Sequence, residues 1–234
     1  MDRDPLGMIN TELAKLRRDR LVDGVYKSLR QAILNAAMRP GERLKPDSLS
    51  EKLGVSLTPV RQAIQQLATE GLVEIRSRSG TFVATLSALD IEETFEIRCA
   101  LECLAAEKAV KNISRQNLRR LRHLLKSLGK PLKDGADRTA HQEYNSELHR
   151  IIIQASGNKR LAEMYNALSA HIKIARIHSL REDWLSRLDE EREEHEQIVA
   201  NLERGDVAAV KQALTKHISR AKDVLVAGIL KSAA

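Results

Sequence analysis

The sequence predicts a mainly α-helical protein: an N-terminal winged helix-turn-helix of three helices and a β-hairpin wing, then an all-α antiparallel six-helix bundle. Turns containing Gly or Pro divide residues 21–71 into three short segments with helical apolar spacing. Two β-prone runs follow, and the rest of the chain consists of six longer helical segments with short connections. Of the 234 residues, 42% are hydrophobic and only 3% are aromatic, which favours a globular protein with an aliphatic core.

The first domain is predicted to span residues 21–86, after a flexible N-terminal arm at 1–20 that lacks a clean apolar period. Its first helix stops before "RPGERL" at residues 39–44, because Pro and Gly interrupt the helical pattern there. Ser48, with Glu51 three residues later, predicts a capping box that opens the second helix.

A tight turn separates the second helix from the third. Gly54 is predicted to end the second helix in a left-handed conformation. Thr58 is the expected N-cap of the third helix, with a proline at the first helical position, where a missing N–H costs nothing. This helix is predicted to end near Gly71. The wing then consists of two β-prone runs, Leu72–Arg76 and Thr81–Thr85.

The second domain is predicted to span residues 87–234. Short polar breaks such as "SGN" and "RGD" separate its helices, and Asp206 is the expected N-cap of the last one. Cys99 and Cys103, four residues apart, share a helix face and are predicted to be small buried side chains in a reducing compartment. The predicted helices cover residues 90–110, 114–128, 137–156, 158–179, 186–204 and 206–231.

The charge of the chain favours a polyanionic partner. The net charge is +7, and residues 1–86 hold 14 basic against 10 acidic side chains. The sequence has no apolar run long enough for a membrane helix and no N-terminal apolar segment typical of a secretion signal. We therefore expect a cytoplasmic protein that has no membrane partner.

A helix-turn-helix with a wing is typical of domains that bind double-stranded DNA. The N-terminus of the third helix presents free N–H groups and a positive dipole end, both suited to phosphate, and an arginine one turn later reaches a phosphate or the edge of a guanine. In the alternative interpretation these are solvated surface residues of a domain that binds no DNA. The candidate DNA-binding residues are Ser56, Thr58, Arg61, Gln62, Gln65, Arg76, Arg78, Gly80 and Thr81.

Three histidines, His149, His195 and His217, fall on the apolar stripes of three different predicted helices. Asn145 lies one helical turn before His149 and therefore on the same face. Three imidazoles and one oxygen donor suit a single divalent metal ion, with Zn²⁺ or Ni²⁺ the best match. The alternative for each histidine is a hydrogen-bonded side chain of an ordinary core.

The stretches "VYKSLRQAILNAAMRPGERL" and "SLSEKLGVSLTPVRQAIQQLATEGLVEIRSRSGTFV" resemble the winged helix of the GntR family of bacterial transcription regulators. The following "LSALDIEETFEIRCALECLAAEKAV" resembles the first helix of the FCD ligand-binding domain in the FadR-like branch, and six bundle helices resemble its VanR-like subgroup. The resemblance covers nearly the whole chain beyond residue 20. Leu57 departs from this resemblance, because the family usually has a DNA-contacting arginine there. Asp47 likewise stands where some relatives carry a DNA-contacting arginine.

The resemblance implies roles in the second domain. FCD domains often bind a metal through N-x-x-x-H or D-x-x-x-H and two later histidines, a pattern that the asparagine and three histidines above match. Arg98 matches a family arginine that faces the cavity, which implies that it pairs with the carboxylate of an effector. The alternative for Arg98 is a structural ion pair with Glu102, one turn later.

Together these features predict a ligand-responsive, sequence-specific transcription regulator, a repressor released by a small organic acid, rather than an enzyme. We expect a homodimer on a pseudo-palindromic operator, because two-fold protein symmetry requires a two-fold site. One alternative is a helical-bundle metalloenzyme, which the absence of any E-x-x-H motif disfavours. The other is a DNA-binding protein without an effector.

Overall fold

The computed structural model describes residues 21–130, 135–178 and 188–233. The predicted arm at 1–20 lies outside the described residues. The chain divides into two compact units between Thr85 and Leu86. None of the helices over the described ranges combines the length and the apolar composition that a membrane crossing needs.

The first unit is a winged helix-turn-helix, as predicted, but its sheet has three antiparallel strands in the order β1–β3–β2. Strand β1 is absent from the prediction, because two residues are too few to show an alternating pattern. It pairs with β3 and so lies beside the wing. The elements are α1 (residues 21–34), β1 (Arg43–Leu44), α2 (Pro46–Leu53), α3 (Leu57–Thr69), β2 (Val73–Arg76) and β3 (Gly80–Val83).

The helix-turn-helix packs its apolar faces into one core. Leu29 and Ile33 of α1 are buried together with Val60 and Leu67 of α3. Gly54 ends α2 with φ 63° and ψ 34°, the left-handed conformation that was predicted and that glycine adopts without steric cost. The apolar residues of α3 turn one face of this helix towards the core, so the polar side chains of α3 face away from the core.

The predicted starts of α2 and α3 are wrong, because they fall three and two residues after the observed ones. Helix α2 begins at Pro46 after the N-cap Lys45, and Ser48 lies inside its first turn, because proline already has the φ of a first helical residue. Helix α3 follows the N-cap Ser56, whose extended backbone (φ −69°, ψ 164°) is that of a cap, so Thr58 is helical. Neither N-cap side chain accepts a hydrogen bond from its helix.

The wing is a tight hairpin. Arg76 of β2 pairs with Gly80 of β3, so the turn consists of residues 77–79. Of the four candidate DNA-binding residues in the wing, only Arg78 lies in this turn. Gly80 has φ 120°, a conformation essentially limited to glycine. A Cβ atom there would lie 3.0 Å from Nε of Arg43, so this glycine also permits the close approach of β1.

The second unit is a bundle of six helices over its described residues, which confirms the predicted fold class. A capping box starts the first of them, since Ser87 Oγ accepts a hydrogen bond from the Asp90 N–H while the Asp90 carboxylate accepts one from the Ser87 N–H. The helices are α4 (Ala88–Asn112), α5 (Arg115–Leu128), α6 (Gly135–Ala155), α7 (Lys159–His178), α8 (Leu188–Arg204) and α9 (Val207–Ala233).

Helix α4 lies centrally in the bundle, where it packs against α6, α7 and α9. Asp206 caps α9 as predicted, because its carboxylate accepts a hydrogen bond from the Ala209 N–H. Cys99 and Cys103 are free thiols and only half-buried, unlike the predicted core side chains, because both lie beside the polar Thr215 of α9.

Candidate functional site

Helix α3 separates a buried face from an exposed one. Thr58, Arg61, Gln62 and Gln65 are all exposed, and their spacing of three, four and seven residues places them on one side of the helix. Ser56 is exposed at the N-terminus of the same helix. Five of the candidate DNA-binding residues therefore form one continuous polar surface at the beginning of α3.

Arg76 and Arg78 differ in how available their charges are. Arg76 Nη2 lies 2.8 Å from Oε2 of Glu74, and its guanidinium stacks over the Phe82 ring at 4.7 Å. Arg78 is exposed in the turn, and no ion pair involves it within the part of the chain that the structure describes. Arg78 therefore presents the less compensated charge of the two, since Glu74 offsets part of the charge of Arg76.

The remaining wing candidates, Gly80 and Thr81, are half-buried at the start of β3. Sequence reasoning missed Arg43, which is exposed on β1 and whose guanidinium lies beside Gly80. No periodic pattern identifies a two-residue strand, so only pairing with β3 reveals that this cation belongs to the wing surface.

The two departures from the family pattern occupy helix beginnings. Leu57 is the first residue of α3 and is half-buried. Asp47 is exposed in the first turn of α2, where a carboxylate interacts favourably with the positive end of the helix dipole. A local helix-stabilising role thus accounts for Asp47, whereas nothing in the structure explains Leu57.

The three histidines predicted as metal ligands converge inside the bundle. His149 of α6, His195 of α8 and His217 of α9 are all essentially buried. Their ring centroids lie 4.4 to 5.5 Å apart, and one potential ligand atom from each lies within 4.8 Å of the others. The fold therefore brings side chains from three distant segments of the sequence together at one point.

Two of these histidines contact buried carboxylates. His149 Nδ1 lies 2.7 Å from Oε2 of Glu102, and His217 Nδ1 lies 2.9 Å from Oε2 of Glu194. With a carboxylate as partner, Nδ1 carries the proton and donates it, which fixes the ring and makes Nε2 the candidate ligand atom. This carboxylate–histidine arrangement is characteristic of metal centres, so the residues present fit a divalent ion.

The two carboxylates are themselves held by further side chains. Glu102 Oε1 accepts hydrogen bonds from Arg98 Nε at 2.7 Å and from the Tyr165 hydroxyl at 3.0 Å. Burial by itself raises the pKa of Glu102, but His149 and Arg98 outweigh that effect and hold the pKa well below its usual range. Glu102 is therefore ionised and compensates the charge of Arg98.

Glu194 has the corresponding role on the other side of the cluster. Both of its oxygens accept hydrogen bonds from Arg220 of α9, each at 2.8 Å. The bidentate pair fixes the carboxylate against His217, one helical turn away from Arg220. Each of these two histidines thus contacts a carboxylate that is itself held by an arginine.

Asn145, the fourth predicted ligand, is buried one turn before His149 on α6. Its side-chain amide nitrogen donates a hydrogen bond to Oε1 of Glu191 on α8. With the nitrogen engaged in this way, the amide oxygen is the ligand atom that the side chain presents. Glu191 thus places a carboxylate next to this amide.

Both interpretations of Arg98 find support. The predicted ion pair with Glu102 exists, and its two side chains are almost completely buried. However, Nη1 and Nη2 of Arg98 are also buried, and neither forms a hydrogen bond of good geometry within the described part of the chain, although the Tyr165 side chain lies close to the guanidinium. A buried guanidinium with two unsatisfied donors is the arrangement that binds a carboxylate bidentately.

The supporting residues of the site were not predicted. Glu102 was considered only as a partner of Arg98, although it contacts His149, which is 47 positions away. Glu194 directly precedes His195 yet contacts His217 instead. Helical spacing shows which residues share a face of one helix but not which helices are neighbours, so no sequence signal identifies these contacts.

Comparison with known proteins gives two family matches. The FCD domain matches residues 93–220, and the gntR family of bacterial regulatory proteins matches residues 21–83. The chain is 30% identical over 205 residues to a probable D-xylose utilization operon transcriptional repressor of Paenarthrobacter nicotinovorans, with 88% of each chain covered. It is 28% identical over 194 residues to the HTH-type transcriptional regulator YdhC of Bacillus subtilis strain 168, covering 83% of this chain and 86% of the relative.

The solved structure of E. coli McbR/YncC has the same fold. It superposes with a TM-score of 0.73 at 25% sequence identity, over 88% of this chain and 96% of that one. Together with an FCD match over more than half of the sequence, these findings show that the chain belongs to the GntR family of DNA-binding bacterial transcriptional regulators, carries an FCD domain and is not an enzyme.

Proposed function

We propose that this regulator binds a small organic acid at a metal centre in its helical bundle and changes its affinity for operator DNA in response. The observation that carries the proposal is the buried group of His149, His195 and His217, next to a buried arginine with two unsatisfied donors. The six bundle helices of the described residues favour the VanR-like subgroup within the FadR-like branch. Its place of action is the cytoplasm, where its DNA partner is found.

The effector site combines a cation and a guanidinium. Asn145 and the three histidines hold one divalent ion, Zn²⁺ or Ni²⁺, and the bound ion supplies a positive charge that anchors a carboxylate. Arg98 donates from Nη1 and Nη2 to the same small anion, while Nε stays on Glu102. Glu102 and Glu194 orient two of the imidazoles, so the ligand atoms are in place before the anion arrives.

The DNA site consists of the exposed face of α3 and the wing. Ser56 and Thr58 donate to phosphates at the helix N-terminus, and Arg61, Gln62 and Gln65 face the base edges in the major groove. The wing contributes backbone and cation contacts, from Arg78 above all, with Arg76, Gly80 and Thr81 alongside. A homodimer places two such surfaces on a pseudo-palindromic operator.

The direction of the response is derepression. The Paenarthrobacter nicotinovorans relative is named as a repressor, which supports repression by this chain as well. The anion releases DNA only as far as it binds better to the DNA-free form of the protein than to the bound form. A DNA-binding protein without an effector has no use for a buried anion site. An experiment that measures DNA binding with and without small carboxylates therefore separates a ligand-responsive regulator from a DNA-binding protein without an effector.

The test is fluorescence anisotropy on DNA from directly upstream of the gene, with a panel of small carboxylates and their neutral amides. We expect one or more carboxylates, but not the matched amides, to release the DNA. Arg98→Lys keeps a positive charge beside Glu102 but loses the planar fork, so it should raise the required carboxylate concentration about tenfold or more. Specific DNA binding that no carboxylate or amide alters would contradict the proposed effector site.

Arg61→Ala is expected to weaken specific operator binding by about 1–3 kcal/mol, the range for one good base contact. Arg61 is exposed on the polar face of α3, so its removal leaves the core of the domain intact. The measurement is operator affinity against a scrambled duplex at fixed salt, with Thr69→Ala, an exposed position at the far end of α3, as the control. Unchanged affinity for the operator would remove Arg61 from the recognition surface.

Leu57→Arg is expected to strengthen DNA binding. The side chain lies in the first turn of α3, where an added guanidinium near the phosphates releases a further counterion. The slope of log affinity against log salt concentration should steepen by about one unit. If both affinity and slope stay as in the wild type, position 57 does not face the DNA.

A further inference from the structure

Cys99 and Cys103 form a pair of neighbouring thiols where α4 packs against α9. They lie one helical turn apart on the same face of α4, so their Cβ atoms are about 5–6 Å apart. The Thr215 hydroxyl of α9 lies 3.7 Å from Sγ of Cys99 and 3.5 Å from Sγ of Cys103. Two sulfur atoms from one helix and one hydroxyl oxygen from another therefore converge at one point.

A cavity of about 400 Å³ opens onto these two thiols. Its walls include the apolar side chains of Phe95 and Ile218, and both cysteines are half-buried at its surface. Arg98 and Glu102 of the same helix are, by contrast, completely buried in the bundle core. The thiols thus lie on a different face of α4 from the candidate effector site, and a small ion has access to them through the cavity.

The environment of the two thiols disfavours their oxidation. Burial raises the pKa of the Cys103 thiol, an effect that the contact with Thr215 opposes and that the neighbouring Cys99 reinforces. A protonated thiol is oxidised slowly, because the thiolate is the reactive form. A helix also points both Cβ atoms in the same direction rather than towards each other, which disfavours a disulfide. The pair therefore suits a ligand that displaces the thiol protons better than it suits oxidation.

The number of sulfur atoms limits which ion the pair can hold. The chain has two cysteines in all, so one chain cannot form the four-thiolate sites of structural zinc or of iron–sulfur clusters. Among the ions that soft thiolate ligands select, this leaves Cu⁺, which has a filled d shell and is stable with two sulfur ligands. The apolar walls of the cavity keep water away from such a centre.

We propose that Cys99 and Cys103 bind one soft monovalent cation, Cu⁺, as a dithiolate site at the contact of α4 with α9. Each thiol gives its proton to water as its sulfur–copper bond forms. The copper stays in the same oxidation state, so the step needs no oxidant or reductant. This site goes beyond the proposed function, because it uses none of the three clustered histidines and requires no effector.

Anaerobic titration of the full-length protein with Cu⁺, against a chromogenic Cu⁺ chelator, tests the site. The His149→Ala, His195→Ala variant serves as the background, so that the histidine cluster contributes no ligands. We expect about one Cu⁺ per chain in this background, and adding Cys99→Ser, Cys103→Ser or both should remove it. Ser219→Ala changes the wall of the cavity but no sulfur ligand, so this matched control should keep the ion.

X-ray absorption at the copper edge checks the ligands in the wild-type protein, where we expect two sulfur neighbours. Failure of both the wild type and the histidine variant to retain Cu⁺ against the chelator would overturn the site. Copper that the cysteine variants still retain, or that has only nitrogen and oxygen neighbours, would also overturn the dithiolate site. None of these results bears on the carboxylate response, because that response is measured without copper.

Discussion

Glu102→Leu is expected to lower the free energy of unfolding of the metal-free protein by about 3–5 kcal/mol, the cost of removing one partner of a buried ion pair. Glu102 is completely buried and binds Arg98, His149 and Tyr165 at once. Its loss leaves the Arg98 guanidinium in the bundle core without its counter-charge and leaves two further donors unsatisfied. Urea unfolding, followed by circular dichroism, gives the free energy directly.

Removal of the Arg98 charge should recover part of the stability that Glu102→Leu loses. Adding Arg98→Met to Glu102→Leu replaces both charges by apolar groups, so the double variant should be more stable than Glu102→Leu alone. Glu96→Leu, on the exposed face of the same helix, is the control and should unfold as the wild type does. A Glu102→Leu variant with wild-type stability would show that the buried ion pair contributes nothing to the fold.

The architecture was predictable because apolar spacing and chain breaks are local signals. Predicted ends of α4 to α9 fall within two residues of the observed ones, and the turn at Gly54 has the predicted conformation. The errors occur where two local signals compete. Ser48 and Glu51 fit the capping-box pattern, but helix α2 begins earlier, at Pro46, because the fixed φ of proline already suits a first helical residue.

Only half of the candidate metal site was predictable from the sequence. His149, His195 and His217 were found because each lies on an apolar stripe, which is a property of one helix. Their carboxylate partners come from other helices, so Glu102 and Glu194 appear only once the packing is known. The two sequence interpretations of Arg98 were posed as alternatives, whereas a guanidinium has enough donors to serve both the ion pair and a ligand.

The second prediction with a large expected effect concerns the metal content of the protein. Full-length protein purified without a histidine tag or chelator is expected to carry about one divalent ion per chain, since three imidazoles form one centre. His149→Ala combined with His195→Ala should carry almost none, because a single imidazole and an amide do not hold such an ion. His123→Ala, an exposed histidine of α5, is the matched control and should keep the full content.

Metal content per chain, measured together with the melting temperature, tests the central claim most directly. The account predicts about one ion in the wild type and a further rise of the melting temperature when a responsive carboxylate is added, because a ligand that binds only the folded state stabilises it. Both the ion and that carboxylate response should be lost in the His149→Ala, His195→Ala variant. A wild type that binds no metal even after loading, yet melts higher with the carboxylate, would show that the histidines bind the anion themselves and would contradict the metal centre.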